Sequence, residues 1–180
     1  MSESDSAESR AINDRDLRKA LGSFVTGITI VTTVDDQDRP VGVTVSSFSS
    51  LSLSPPMVLW CIAADARSAD TFANGARFAA HVLAHDQWPL AERFATRGSD
   101  KFDRINWRWS ADRVPLIDGC AAVFECEREA VHAGGDHLIV TGLIRQFAVN
   151  HVDPLAYHRG RYALTHRGED AAHLMSLQSW

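Results

Sequence analysis

Apolar residues recur along this chain with two different spacings, and the switch between them marks its elements. Leu17, Ala20, Leu21 and Phe24 fall at i, i+3, i+4 and i+7, which predicts an amphipathic helix. Asn13 or Asp14 can cap it, and Gly22 and Gly27 bracket its exit. The period then drops to that of a strand. Ile28-Thr29-Ile30-Val31-Thr32-Thr33 is a nearly unbroken β-branched run, and a polar turn from Asp35 to Pro40 leads into Val43-Thr44-Val45. This reads as a hairpin, so the sheet is antiparallel here. Met57 to Ile62 reads as a continuous apolar strand buried on both faces, and Phe78 to Leu83 as another strand. Between them Ser68 is placed to cap a short helix through Phe72 that Gly75 closes. Asp86, with Pro89 in the first turn, opens a helix carrying Leu90, Ala91 and Phe94 on one face.

Residues 96–119 show no period and contain Trp107 and Trp109; a loop this long usually covers something or carries function. From Ala122 the strand signal returns, with Phe124 and Cys126 alternating against Glu125, Glu127 and Glu129. Gly134-Gly135-Asp136 is a hairpin turn, and His137 to Val149 a long strand in which Gly142 marks a bulge or bend. The helices come as insertions rather than in βαβ alternation, which disfavours a parallel Rossmann sheet. A mainly β (α+β) antiparallel barrel, closed or partly closed, with a few short helices is expected. Its domain spans 13–165, between a disordered tail over 1–12 and a weakly patterned C-terminal tail over 166–180.

One stretch breaks both periods. In Ser46–Ser52, five of seven residues are serine, and the run ends at Pro55-Pro56. Phe48, Leu51 and Leu53 recur at regular intervals, which predicts a segment packed on a core with hydroxyl and backbone donors facing something polar. Phosphate is the usual occupant of such a place, because neutral O–H and N–H donors hold an anion without a countercharge. An edge strand and turn whose serines bond only the backbone is the other reading.

Composition narrows the function. The 180 residues are 45% hydrophobic and 23% charged, as in a globular domain, and the net charge of −5 without a Lys/Arg cluster argues against nucleic acid and anionic membranes. No apolar run approaches the roughly 20 residues of a membrane helix, and the start MSESDSAESR has no apolar core, so a cytoplasmic protein is expected. Cys61, Cys120 and Cys126 have no CxxC spacing, against structural disulfides and zinc knuckles. A metal hydrolase is disfavoured too: there is no HExxH, and His132, His137, His151 and His158 share no metal-ligand spacing. Serine hydrolysis lacks a GxSxG elbow.

Four segments taken together, FVTGITIVTT, GVTVSSFSSLSLSPPMVLWCI, GGDHLIVTGLI and YHRGRY, resemble the short-chain flavin reductase family. The order holds from Leu17 to Tyr162, some four-fifths of the chain, and Asp100-Lys101-Phe102 followed by Trp107 also fits. The resemblance implies a Greek-key FMN-binding split β-barrel and a homodimer with flavin sites near the subunit interface. It implies hydride transfer from NADH or NADPH to FMN or FAD, with the reduced flavin passing to a separate flavin-dependent monooxygenase. In such a reaction the cofactors carry the chemistry and the protein supplies binding, orientation and electrostatics.

By the same resemblance, Thr44, Val45, Ser46 and Ser47 lie along the flavin, and Cys61, Ile62 and Ala63 approach it with backbone atoms. Ser68 suits a phosphate because a helix N-terminus presents free N–H groups. Lys101, the only lysine besides Lys19, is the natural phosphate partner. His137 is the candidate catalytic residue, beside the nicotinamide, or else a turn histidine bonded to Asp136. Arg159 and Tyr162 are expected at the same mouth, with Arg161 able to exchange roles with Arg159. Phe102 either covers the flavin or fills the core. Two departures stand out. Many members carry asparagine where this chain has Ser46, and Trp60 is bulkier than the family pattern, so that it reshapes the pocket or packs outside it. The alternative function is a split barrel that retains its flavin and reduces another acceptor, or turns nothing over.

Overall fold

Strand β2 (Thr29–Val34) shows how the fold is built, because its alternate side chains enter two different cores. Val31 packs with Val58, Trp60, Ile62, Phe78 and Val140 inside a curled sheet, while Ile30 packs on the outside with Leu83, Phe94 and Leu155. The period of two along a strand makes this division unavoidable once both faces are covered. The computed structural model describes residues 12–98 and 100–165, so the expected tails lie outside the described residues apart from Ile12.

In chain order, β2 follows α1 (Asp14–Leu21) and β1 (Thr26–Gly27) and precedes β3 (Pro40–Val45), β4 (Ser49–Leu53), β5 (Pro56–Ala63), α2 (Ala69–Asn74), β6 (Arg77–Val82) and α3 (Trp88–Ala95). Then come β7 (Trp107–Trp109), β8 (Pro115–Ile117), β9 (Ala122–Gly134), β10 (His137–Val149), β11 (Leu155–His158) and β12 (Arg161–Leu164). Seven strands form one antiparallel sheet in the order β3-β2-β6-β9-β10-β5-β4. The sheet curls until the end of β3 meets β5, which gives the expected antiparallel split barrel. Helix α2 closes the inner core with Ala69 and Phe72; α3 and the small β7–β8 and β11–β12 hairpins cover the outer one.

The bulge expected at Gly142 is present: the β9–β10 register shifts between Thr141 and Gly142. A Cβ there would lie 2.6 Å from the Phe78 ring, so the ring lies directly on bare backbone. Gly42 on β3 meets the Phe94 ring of α3 in the same way, with a Cβ only 2.4 Å away. Buried His81 ties the outer hairpin to the sheet. Its Nδ1 donates to the Ile30 carbonyl (2.9 Å), and its Nε2 accepts from the Ile117 N–H (3.1 Å). An N–H can only donate and a carbonyl can only accept, so these partners assign a neutral ring protonated at Nδ1.

Several expectations need correction. Strand β5 is buried on one face, through Val58, Trp60 and Ile62, while Met57, Leu59 and Cys61 are half-buried on the other. Of the apolar residues in the serine stretch only Phe48 packs on the core. Leu51 and Leu53 lie on edge strand β4 and are exposed, because β4 has a neighbour on one side only. Helix α1 forms, with Asn13 as its cap, but buries no residue: Leu17, Leu21 and the following Phe24 stay exposed. Residues 96–119 are not wholly irregular, since β7 and β8 pair within them, and the YHRGRY segment is the β11–β12 hairpin. Trp60 is fully buried, edge-on to Phe72 (4.9 Å) and Phe78 (5.8 Å), so it packs in the core rather than lining a pocket. Cys120 and Cys126 are buried, and desolvation pushes both thiols up to about 12, whereas Cys61 is only half-buried. Among the described residues no helix is long and apolar enough to cross a membrane.

Candidate functional site

Three separate stretches of chain meet where β5 ends. The β5–β10 register pairs Ala63 with His137, and the Ala64 N–H donates to the Asp136 carbonyl (2.9 Å), which brings the Gly134-Gly135-Asp136 turn beside Cys61, Ile62 and Ala63. His137 is about half exposed, and its Nδ1 sits 2.7 Å from Asp136 Oδ1. The hydrogen bond from His137, then its charge, holds the Asp136 carboxyl below the ordinary carboxylate range. The third stretch is Ser46-Ser47, just past β3. Ser46 is exposed. Ser47 Oγ accepts from the Cys61 N–H (2.8 Å) and donates to the Cys61 carbonyl (3.1 Å).

Beyond Ala63 the chain turns through an Ala66 N–H to Ala63 carbonyl bond (3.0 Å) and enters the wall of a cleft of about 750 Å³. Its opposite wall is β3 at Gly42 and the C-terminal end of α3 at Phe94. Ser68, Lys101 and Phe102 all line this cleft, as do Arg67 and Arg97. Lys101 Nζ donates to the carbonyls of Phe94 (2.8 Å) and Gly42 (3.2 Å), leaving one of its three protons uncommitted. Partial burial draws its pKa below the ordinary lysine value. Ser68 stands before α2 but makes no side-chain capping bond, so its hydroxyl is not used by the helix. Phe102 is buried, edge-on to Phe94 (5.0 Å) and Trp107 (5.3 Å), and borders the cleft from within the outer core.

The remaining candidates lie elsewhere or are already engaged. Thr44 donates its hydroxyl to the Ala91 carbonyl of α3 (2.7 Å), and Val45 packs against the inner core. Arg159 and Tyr162 belong to the separate three-stranded sheet β1-β11-β12, and neither lines the cleft. Arg159, at φ 49° in the two-residue turn, donates its N–H to the Gly22 carbonyl (2.8 Å) and borders a second groove against α1. Tyr162 packs on Tyr157 (5.7 Å), and burial, then Glu92 and Tyr157, pushes its phenol up. The expectation of a mouth shared with His137 is not met within one protomer: hairpin pairing to β1 sets Tyr162 against the outer core and leaves Arg159 exposed at the groove against α1. Sequence reasoning missed Arg67 and Arg97, which make no hydrogen bond or ion pair among the described residues. Arg67 directly precedes Ser68 and was within reach of the same argument, whereas Arg97 carried no signal in its loop.

What these groups offer is a cleft lined by anion donors and, one turn away from it, strand-end backbone beside a histidine. The family described as Flavin reductase like domain matches residues 21–166. The chain is 43% identical over 150 residues to FMN reductase (NADH) SmoA of Agrobacterium fabrum, covering 83% of this chain and 85% of that one. It is 40% identical over 153 residues to HsaB of Rhodococcus jostii, the reductase subunit of a flavin-dependent monooxygenase, covering 84% of this chain and 78% of that one. It spans only about half of two further reductases, at 48% and 51% of their lengths. Among solved structures, the Streptomyces globisporus NADH:FAD oxidoreductase SgcE6 superposes with a TM-score of 0.80 at 33% identity, covering 91% of this chain and 95% of that one.

Proposed function

The chain belongs to the flavin reductase like family, and from that premise we propose that it oxidises NADH and passes the hydride to FMN, supplying reduced flavin to a separate flavin-dependent monooxygenase. The observation that carries this reading is the continuity of the site. Cys61–Ala63 and His137 adjoin, through one turn, a cleft lined by Lys101, Arg67, Arg97 and Ser68. That donor set fits a phosphorylated flavin: Lys101 and Arg67 supply charge and Ser68 a free hydroxyl for the phosphate, while the β5 end supplies backbone to the ring edge. Bound flavin supplies the hydride acceptor, which no side chain of this protein can replace. His137, with Nδ1 engaged by Asp136, presents Nε2 to the nicotinamide and orients it. NADH and FMN are the pair named for SmoA, to which the identity is 43%. The uncovered apolar row Leu17, Leu21, Phe24 and Val25 supports a homodimer in which α1 and its exit meet the second copy.

The test is consumption of NADH and of NADPH by the purified protein with FMN, FAD or no added flavin. We expect NADH oxidation that saturates in added FMN. Oxidation without added flavin would instead favour a retained prosthetic group. The absence of oxidation with every pair, flavin binding intact, would refute the reductase.

A further inference from the structure

The β4–β5 ladder pairs Ser49 with Leu59, and continuing that register by two residues sets Ser47 opposite Cys61. The backbone does not make that pair. It leaves the ladder at Ser46–Phe48 to join the end of β3, so the last four residues of β5, Trp60–Ala63, have no partner on β4. Both edge groups of Cys61 are met instead by one atom, Ser47 Oγ, which accepts from the N–H and donates to the carbonyl. The hydroxyl has a single proton, and it is already given to Cys61.

We propose that Ser47 is a positioning residue that holds the flavin-facing end of β5 in place of the missing strand pair, and that it does not donate its hydroxyl to the ligand. The inference rests on the flavin reading above, which gives the β5 end its ligand. The same two bonds link the end of β3 to β5 across the opening of the split barrel. Strand alternation turns the Ala63 N–H to the same side as that of Cys61, and the Ala63 carbonyl is tied to the Ala66 N–H. Freedom at Cys61 therefore spreads in two directions: to Ala63 beside His137, and through the 63–66 turn to Arg67 and Ser68.

The experiment compares Ser47→Ala and Ser47→Thr with the unsubstituted full-length protein. Hydrogen exchange of the Cys61 amide is read without flavin, and FMN affinity and thermal midpoint are read beside it. In Ser47→Ala the Cys61 amide should exchange about tenfold faster and the Kd for FMN rise by a similar factor, on the order of one lost hydrogen bond. Ser47→Thr, which keeps the hydroxyl, should restore both. Weaker FMN binding with Cys61 protection unchanged would make Ser47 a direct ligand and overturn the proposal. Faster exchange with unchanged affinity would overturn it as well, by leaving a purely structural bond. Failure of the unsubstituted chain to bind FMN would sink the flavin reading itself, a result distinct from either.

Discussion

His81 gives the fold a dependence on pH whose size follows from its surroundings. The ring is fully buried, donating to the Ile30 carbonyl and accepting from the Ile117 N–H, so a second proton at Nε2 would both break the bond to β8 and place a charge in the outer core. Desolvation lowers its pKa from 6.5 to about 4, against the favourable Ile30 bond and with a further push from the Arg108 charge. Holding the ring neutral over that interval corresponds to about 3 kcal/mol. The sign follows from proton uptake. The unfolded chain takes up the proton first as pH falls through 6.5, so this contribution to stability declines between pH 6.5 and about 4 and is level below. The carboxyls of Asp35 and Asp136, both below their ordinary value of 3.8, lose their contributions only at lower pH. The matched perturbation is His81→Asn, whose amide can still donate to Ile30 but leaves the Ile117 N–H without an acceptor. At pH 7 that variant should be less stable by roughly 2–4 kcal/mol, from the unpaired donor and the space left behind. Urea unfolding of both proteins from pH 8 to pH 4, followed by tryptophan fluorescence, should show the gap closing as the parent loses stability. Parallel curves across that window would refute the assignment of a neutral, doubly bonded His81.

Three further substitutions probe the site and the backbone. Lys101→Met should weaken FMN binding about tenfold or more and leave riboflavin, which has no phosphate, nearly unaffected; equal losses for both ligands in fluorescence titrations would remove Lys101 from the phosphate. Gly42→Ala would drive a Cβ to 2.4 Å from the Phe94 ring, and should lower stability by about 1–3 kcal/mol in denaturant unfolding, with an unchanged midpoint counting against the tight β3–α3 seam. Arg159→Asn relieves a left-handed φ of 49° in a two-residue hairpin turn and should raise stability by about 0.5–1 kcal/mol, read as a higher thermal midpoint.

The longer strands and the two hairpins β2–β3 and β9–β10 were legible because side-chain period and turn residues are local properties. The β-branched run in β2, the alternation in β9 and the Gly-Gly turn before His137 each record which face of a strand meets the core. The family resemblance implied one site for Cys61–Ala63, His137, Ser68 and Lys101, and the fold sets Ala63 beside His137 and Ser68 in one cleft with Lys101. Period did not record what lies beyond a face. Helix α1 has its apolar stripe, yet nothing among the described residues buries it. Strand β4 likewise leaves Leu51 and Leu53 in the open. The three-residue β7 and β8 fell below the length at which alternation can be read, and the four-residue β11 and β12 only just reach it.

Sequence by itself determined the longer strands and the turns that join the two long hairpins. The tertiary structure alone decided what each polar group does: Ser47 and Thr44 give their protons to Cys61 and Ala91, Lys101 bridges two carbonyls, and Arg159 turns toward α1. The reason is physical. Hydrophobic period is written along the chain one neighbour at a time, whereas a hydroxyl or ammonium finds its partner among groups 7 to 59 residues away, brought near only when the barrel closes.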